Sequence, residues 1–165
     1  MGMDVYGLKP KNPKGEYFRN NVWWWHSLWD YCCYACPEIT DKVKSGHDNS
    51  GDGLGSTSSR KLGLRIQQLI KDGSAEKYVT EYYNHLNALP DEPCFCVKES
   101  MFQIFSMSEE VLVPKSLGNK DPNPECKTCK GLGMQPNWNK SYNISLENIQ
   151  NFAEFLVNCG GFQIC

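Results

Sequence analysis

The sequence predicts an α+β protein: about four helices around a small, mostly antiparallel sheet, with a metal-stapled loop region. Three observations carry this. Four segments repeat apolar residues at helical spacing, short strand-like stretches stand near both ends, and two cysteine pairs lie in the one long segment without a periodic pattern.

The opening GMDVYGL, residues 2 to 8, alternates apolar and polar positions and runs into KPKNPKGE, so an edge strand followed by a loop is expected. From about 21 to 36, Val22, Trp25, Leu28, Trp29, Cys32 and Cys36 recur on one helical stripe. Asn20 or Asn21 is positioned to cap this helix, and Pro37 to end it. A polar, glycine-rich loop, 45 to 59, leads into a second helix at 59 to 72 with Leu62, Ile66, Leu69 and Ile70 inward and Gly73 as its stop. A third follows at 75 to 89, with Ser74 as its expected cap and Tyr78, Val79, Tyr82, Leu86 and Leu89 on its buried face. The fourth, 146 to 158, buries Leu146, Ile149, Phe152, Phe155 and Leu156, and Gly160 and Gly161 separate it from a terminal FQIC strand. Between them, 91 to 143 is irregular, with CFCVKE and MFQIFSMSEEVLV as short strand candidates.

At 165 residues the chain is expected to form a single domain, 1 to 165, with 91 to 140 as a metal-stapled subregion. Its 17 Lys and Arg against 19 Asp and Glu include no basic run, which argues against long nucleic acid as a partner, because counterion release needs a basic stripe. No segment approaches the ~18 apolar residues of a membrane span, and the first residues lack a signal-peptide apolar core. A cytoplasmic location is therefore expected, and there the nine cysteines are expected as free thiols and metal thiolates.

Cys126 and Cys129 are separated by two residues, the spacing at which both sulfurs reach one ion while turn N–H groups face the thiolates. Gly131 and Gly133 let the chain turn back beside them. The matching half is Cys94 and Cys96, with 29 residues between Cys96 and Cys126. Together they predict a tetrahedral, all-cysteine zinc site, structural because four thiolates leave no position open to water or substrate. Cys33 and Cys36 also read CxxC, but in an aromatic helix, where cysteine serves as a small core residue; Cys159 and Cys165 flank the terminal turn.

Trp23, Trp24 and Trp25 cannot all face a core, because successive helical residues point ~100° apart. Trp25 is read as inward, and Trp23 shares a face with Ser27, Asp30 and Tyr34. With Arg19, Asn20, Asn21 and His26 close by, and with His47, Asn49 and Asp52 in the polar loop, a seat for a nucleotide-like ligand is predicted: indole for stacking, guanidinium for phosphate. A tryptophan-rich core helix with a solvated polar face is the competing reading. The loop begins like a calcium loop at Asp48, Ser50 and Asp52, but Ser59 stands where the bidentate Glu belongs. None of the three histidines lies in a hydrolase or deaminase motif, so the chain leans away from catalysis.

CKTCKGLG resembles one copy of the C-x-x-C-x-G-x-G zinc repeat of the DnaJ chaperone family, which implies zinc chemistry for Cys126 and Cys129. MGMDVYG, GEYFRNNVWWW, the NSGDGLG loop and the ending FAEFLVNCGGFQIC together resemble a group of small proteins from bacteriophage and prophage genomes. In that group His26 commonly corresponds to Arg, and the loop reads closer to Asn-Asp-Gly-x-Gly, where this chain has Ser50 and Gly51. By that context the expected role is counter-defence: binding and sequestering a nucleotide-derived immune signal, with Trp23 or Trp24 stacking, Arg19 supplying charge and the 47 to 56 loop as a lid. An inhibitor of a host protein, docking through exposed tryptophans, is the alternative, and a nucleotide-acting enzyme the third reading.

Overall fold

A computed structural model describes residues 2–97 and 121–165. They fall into two compact units, one formed by residues up to Asn87 with Ser141–Cys165, the other by Ala88–Lys140. The fold class is the expected α+β.

In the first unit, β1 (Gly2–Gly7) and β2 (Tyr17–Asn21) form a hairpin that runs directly into α1 (Val22–Ala35). After a single turn, α2 (Pro37–Thr40), and the polar loop come β3 (Gly53–Gly55), α3 (Ser56–Lys71) and α4 (Ser74–Ala88). The second unit contributes two short strands, β4 (Glu92–Pro93) and β5 (Met134–Gln135). The first unit then resumes with α5 (Leu146–Asn158) and β6 (Gly161–Ile164).

The main sheet has the order β2-β1-β6-β3, all antiparallel, so the strand furthest along the chain is central. Its register pairs Val5 with Ile164 and Leu54 with Phe162, and these four side chains all enter the core. Against them pack Trp25, Leu28, Leu62, Ile66, Phe152, Phe155 and Leu156, each almost fully buried. Phe152 is the hub, with ring contacts to Phe18, Trp25, Phe155 and Phe162. Helices α3 and α5 pack closely because Gly63 faces α5: a Cβ there would lie 2.9 Å from both Leu156 Cβ and Val157 Cγ2.

The four predicted helices are present, with differences at their ends that have local causes. Asn21 caps α1 by accepting from Trp24 N at 3.2 Å, and Ser145 caps α5 by accepting from Asn148 N at 3.1 Å. Helix α3 starts at Ser56, before the expected 59, because Ser56 and Ser59 sit within its first turn, where the Ser59 hydroxyl donates back to the Gly55 and Ser56 carbonyls. Ser74 is inside α4 rather than its cap; Asp72 Oδ1 takes its N–H at 3.0 Å.

Strands β2 and β3 were not anticipated, since KPKNPKGE and the glycine-rich loop read as connection and no strand was expected between KPKNPKGE and α1. Cys94–Val97 is a turn, not the strand expected for CFCVKE, because Val97 N closes onto Cys94 O at 3.0 Å. The candidate strand MFQIFSMSEEVLV lies outside the described residues.

Replacing Phe152 with Ala should lower the unfolding free energy by about 3–5 kcal/mol, the usual cost of emptying a buried aromatic site. Chemical denaturation checks it, and a loss below about 1 kcal/mol would contradict the hub role.

Candidate metal centre and the polar face of the first unit

The second unit is built around sulfur. Glu92 and Pro93 pair with Gln135 and Met134, Gln135 Nε2 donates to Glu92 Oε1 at 2.8 Å, and Cys94 N donates to Gly133 O at 2.8 Å. This places the 94–97 turn beside the 126–133 turn. The latter closes through Lys130 N to Cys126 O (2.8 Å) and Leu132 N to Cys129 O (2.9 Å). Lys130, Gly131 and Gly133 all have positive φ, at 52°, 82° and 73°, which folds the chain back over the sulfurs.

The Sγ atoms of Cys94, Cys96, Cys126 and Cys129 all lie within 4.8 Å of one another. Cys94 and Cys126 are 3.7 Å apart, and Cys96 and Cys129 3.5 Å. Sulfurs placed tetrahedrally at about 2.3 Å from one ion would be about 3.8 Å apart, so the cluster is near the size an ion requires. Cys94 and Cys129 are buried, Cys96 and Cys126 half-buried. The Cys126 thiol is drawn down to about 6, chiefly by the N–H groups of Cys129 and Thr128. At Cys129, burial pulls the other way but is outweighed by the Gly133 N–H and the Cys96 thiol. Part of the charge that an ion needs is thus stabilised by the backbone itself. The predicted four-cysteine cluster is therefore assembled and able to hold a metal ion, and among the described residues no other group of three or more His, Cys, Asp or Glu side chains converges in this way.

Of the remaining cysteines, Cys32, Cys33, Cys36 and Cys159 pack in or against the core. Cys32, Cys36 and Cys159 are buried; Cys36 Sγ lies 3.0 Å from Glu38 Oε1, and burial and then that carboxylate push its thiol up to about 11. Cys33 is half-buried, and Cys165 is exposed.

In the first unit, a hollow of about 440 Å³ is lined by Gly2, Arg19, Asn20 and Asn21. Arg19 Nε lies 3.5 Å from Asp4 Oδ1, while most of the side chain stays exposed; the Tyr17 hydroxyl donates to the same carboxylate. The amides are partly committed: Asn21 caps α1, and Asn20 Nδ2 donates to Asn148 Oδ1 at 3.2 Å. Trp23 is half-buried against Tyr142, and Trp24 is half-buried too. Trp25 is inward as predicted, stacking on Trp29 and donating from its indole to Gly46 O at 2.8 Å.

That last bond seats the polar loop on α1. Asp52 organises the loop's ends by accepting from Lys44 N, Ser45 N and Gly53 N at 2.8–3.0 Å. Asn49 Nδ2 donates to Gly2 O at 3.0 Å, which brings the loop to the edge of the hollow. His47 meets His26, Nδ1 to Nδ1, at 2.8 Å, and its Nε2 lies 3.2 Å from Asp30 Oδ1. Burial, then the neighbouring His47, holds His26 below the ordinary imidazole value. Asp30, read from the sequence as sharing a face with Trp23, takes its place here as the partner of His47. Tyr142 and Gly2 were missed as members of this face, because they are adjacent only through folding.

Comparison of this chain with protein-family models, with curated proteins and with solved structures returned no match. What the fold and site define is thus a class, an α+β protein with a four-cysteine metal-type cluster.

The Asp52 carboxyl is held below its ordinary range, first by the Ser45 N–H and then by those of Gly53 and Lys44. Its native form binds protons less readily than the unfolded one, so its contribution is complete above a pH of about 4 and fades as the pH falls through the native value. Asp52→Asn should lower stability by about 1–2 kcal/mol at neutral pH and reduce the loss seen on acidification. Denaturant titrations of both proteins at pH 7 and pH 3 check this.

Proposed function

We propose that this is a phage-type counter-defence protein that binds and sequesters a small nucleotide-derived signal, with Cys94, Cys96, Cys126 and Cys129 holding a structural zinc ion. For zinc the support is the donor set: four soft thiolates in a tetrahedron-sized cluster, in a segment whose backbone turns are formed around them. Closed coordination gives the ion the task of ordering the second unit, and apparent binding energies of about 10–16 kcal/mol suffice for that.

For the ligand, the observation that carries the reading is the hollow at Gly2, Arg19, Asn20 and Asn21. A guanidinium with much of its surface free stands over a polar floor, next to an aromatic helix and a loop anchored at the hollow's rim through Asn49. Gly2 forms part of this floor directly beneath the Arg19 guanidinium, whose nearest atom would lie 3.1 Å from a Cβ at that position. Phosphate pairing with Arg19 suits an anionic ligand, and Trp23 and Trp24 supply ring surface for a base. A protein partner is the second reading, supported by Leu132 and Met134, which are 78% and 46% exposed beside a hollow of about 280 Å³ in the second unit.

Metal analysis of protein purified without added metal should give about one zinc per chain, and Cys126→Ser should abolish it. Chelation should sharply raise amide exchange in the described parts of 88–140 and leave α5 and β6 protected; equal exchange in both states would remove zinc's structural role. Mass spectrometry of small molecules released on denaturation, with thermal shifts against cyclic and ADP-ribose-type nucleotides, tests the ligand. A saturable shift with unchanged ligand, reduced at least tenfold in affinity by Arg19→Ala, is expected. Turnover would indicate an enzyme, and no shift with a co-purifying host protein would favour the protein-inhibitor reading.

A further inference from the structure

We infer that His26 and His47 form a second metal site, for a borderline transition-metal ion that imidazole suits, of the Ni2+ or Cu2+ class. Two imidazoles from separate elements, α1 and the polar loop, bring the same ring atom, Nδ1, to 2.8 Å of each other. Two nitrogens bound about 2.0 Å from one ion in neighbouring positions of a square or octahedral shell are about 2.9 Å apart, whereas a tetrahedral ion would spread them to about 3.3 Å. The 2.8 Å of the ion-free pair is a hydrogen-bond spacing, short enough that one ion can reach both nitrogens in either shell. The ring centroids, 4.9 Å apart with 41° between planes, allow both lone pairs to be aimed at one point by a modest turn of each ring about χ2, a broad torsion.

Asp30 supplies the second feature of such sites. Its carboxylate stands 3.2 Å from His47 Nε2, so it accepts that N–H and leaves His47 Nδ1 as a lone pair directed at the ion position. Without an ion, the His26 Nδ1–H donates to this lone pair. Binding requires His26 to carry its proton on Nε2 instead, an exchange through water that leaves both rings neutral. The backbone N–H bonds to the Asp52 carboxylate and the Trp25–Gly46 contact hold in place the loop that presents His47.

The chemistry of the two sites is opposite. Four thiolates enclose their ion completely, while two imidazoles leave positions for water or an anionic oxygen. His26 and His47 are both in the first unit and share no residue with the cysteine cluster, so the two can be loaded and tested separately.

The test is a calorimetric titration of the zinc-loaded full chain with NiCl2, with the near-ultraviolet spectrum recorded in parallel. One equivalent should bind without a thiolate-to-nickel band. His26→Asn and His47→Asn should each remove that equivalent, Asp30→Asn should weaken it about 10-fold or more, and His85→Asn, which alters an exposed histidine on α4, should change nothing. In the unsubstituted protein, paramagnetic broadening by Ni2+ should centre on residues 26, 30 and 47, a reading independent of whether any variant folds. No binding, binding that survives the double His26→Asn, His47→Asn change, or broadening centred elsewhere would each overturn the site.

Discussion

The first unit depends on one long-range pairing, the insertion of β6 between β1 and β3. Two backbone bonds lock residue 4 to residue 165, Cys165 N to Asp4 O at 2.7 Å and Asp4 N to Cys165 O at 3.2 Å. On the other side, Ile164 N donates to Asp52 O and Gly51 N to Ile164 O. A single strand therefore fixes the N-terminal hairpin and the polar loop at once. The hollow lined by Gly2 and Arg19, and the loop that reaches Gly2 through Asn49, owe their adjacency to it. The apolar core then rewards the pairing, since Phe162 and Ile164 project from β6 onto Phe152 and its neighbours.

The second unit follows a different logic. Among its described residues, regular structure amounts to four paired residues and a 3-10 turn that begins at Trp138, and the buried set is small: Cys94, Val97, Cys129, Gly133 and Gln135, with the half-buried Cys96 and Cys126 beside them. Apolar burial among these residues is small beside the conformational entropy of ordering them. An ion held by the four sulfurs would offset that cost, because it replaces many weak contacts by four strong ones. Backbone N–H groups directed at Cys126 and Cys129 prepare the sulfurs for this role.

Much of this was legible in the sequence wherever a local rule governed. Helical periodicity marked α1, α3, α4 and α5, because their buried faces repeat with the helix itself. The cysteine spacing marked the cluster, because CxxC is the spacing at which one turn brings two sulfurs within reach of a single ion. What escaped has a common cause. Tyr17–Asn21 and Gly53–Gly55 are strands by virtue of partners more than a hundred residues away or across a hairpin, and their own residues carry turn-like signals. Asn20, Asn21 and Asp52 were read as ligand groups, yet a good part of their hydrogen-bonding capacity is spent on Asn148, on the start of α1 and on the loop backbone. Asparagine and aspartate look alike in a sequence whether they serve a ligand or a cap.

The central position of β6 also sets a timetable for biosynthesis. A nascent chain can form α1, α3 and α4 early, but its sheet stays split, with the β1 edge that β6 will cover left open, until Ile164 has been made. At about 5–20 residues per second that interval is roughly 8–30 s. A chain cut short before Gly161 lacks the strand that joins β1 to β3, and leaves both with an unpaired edge.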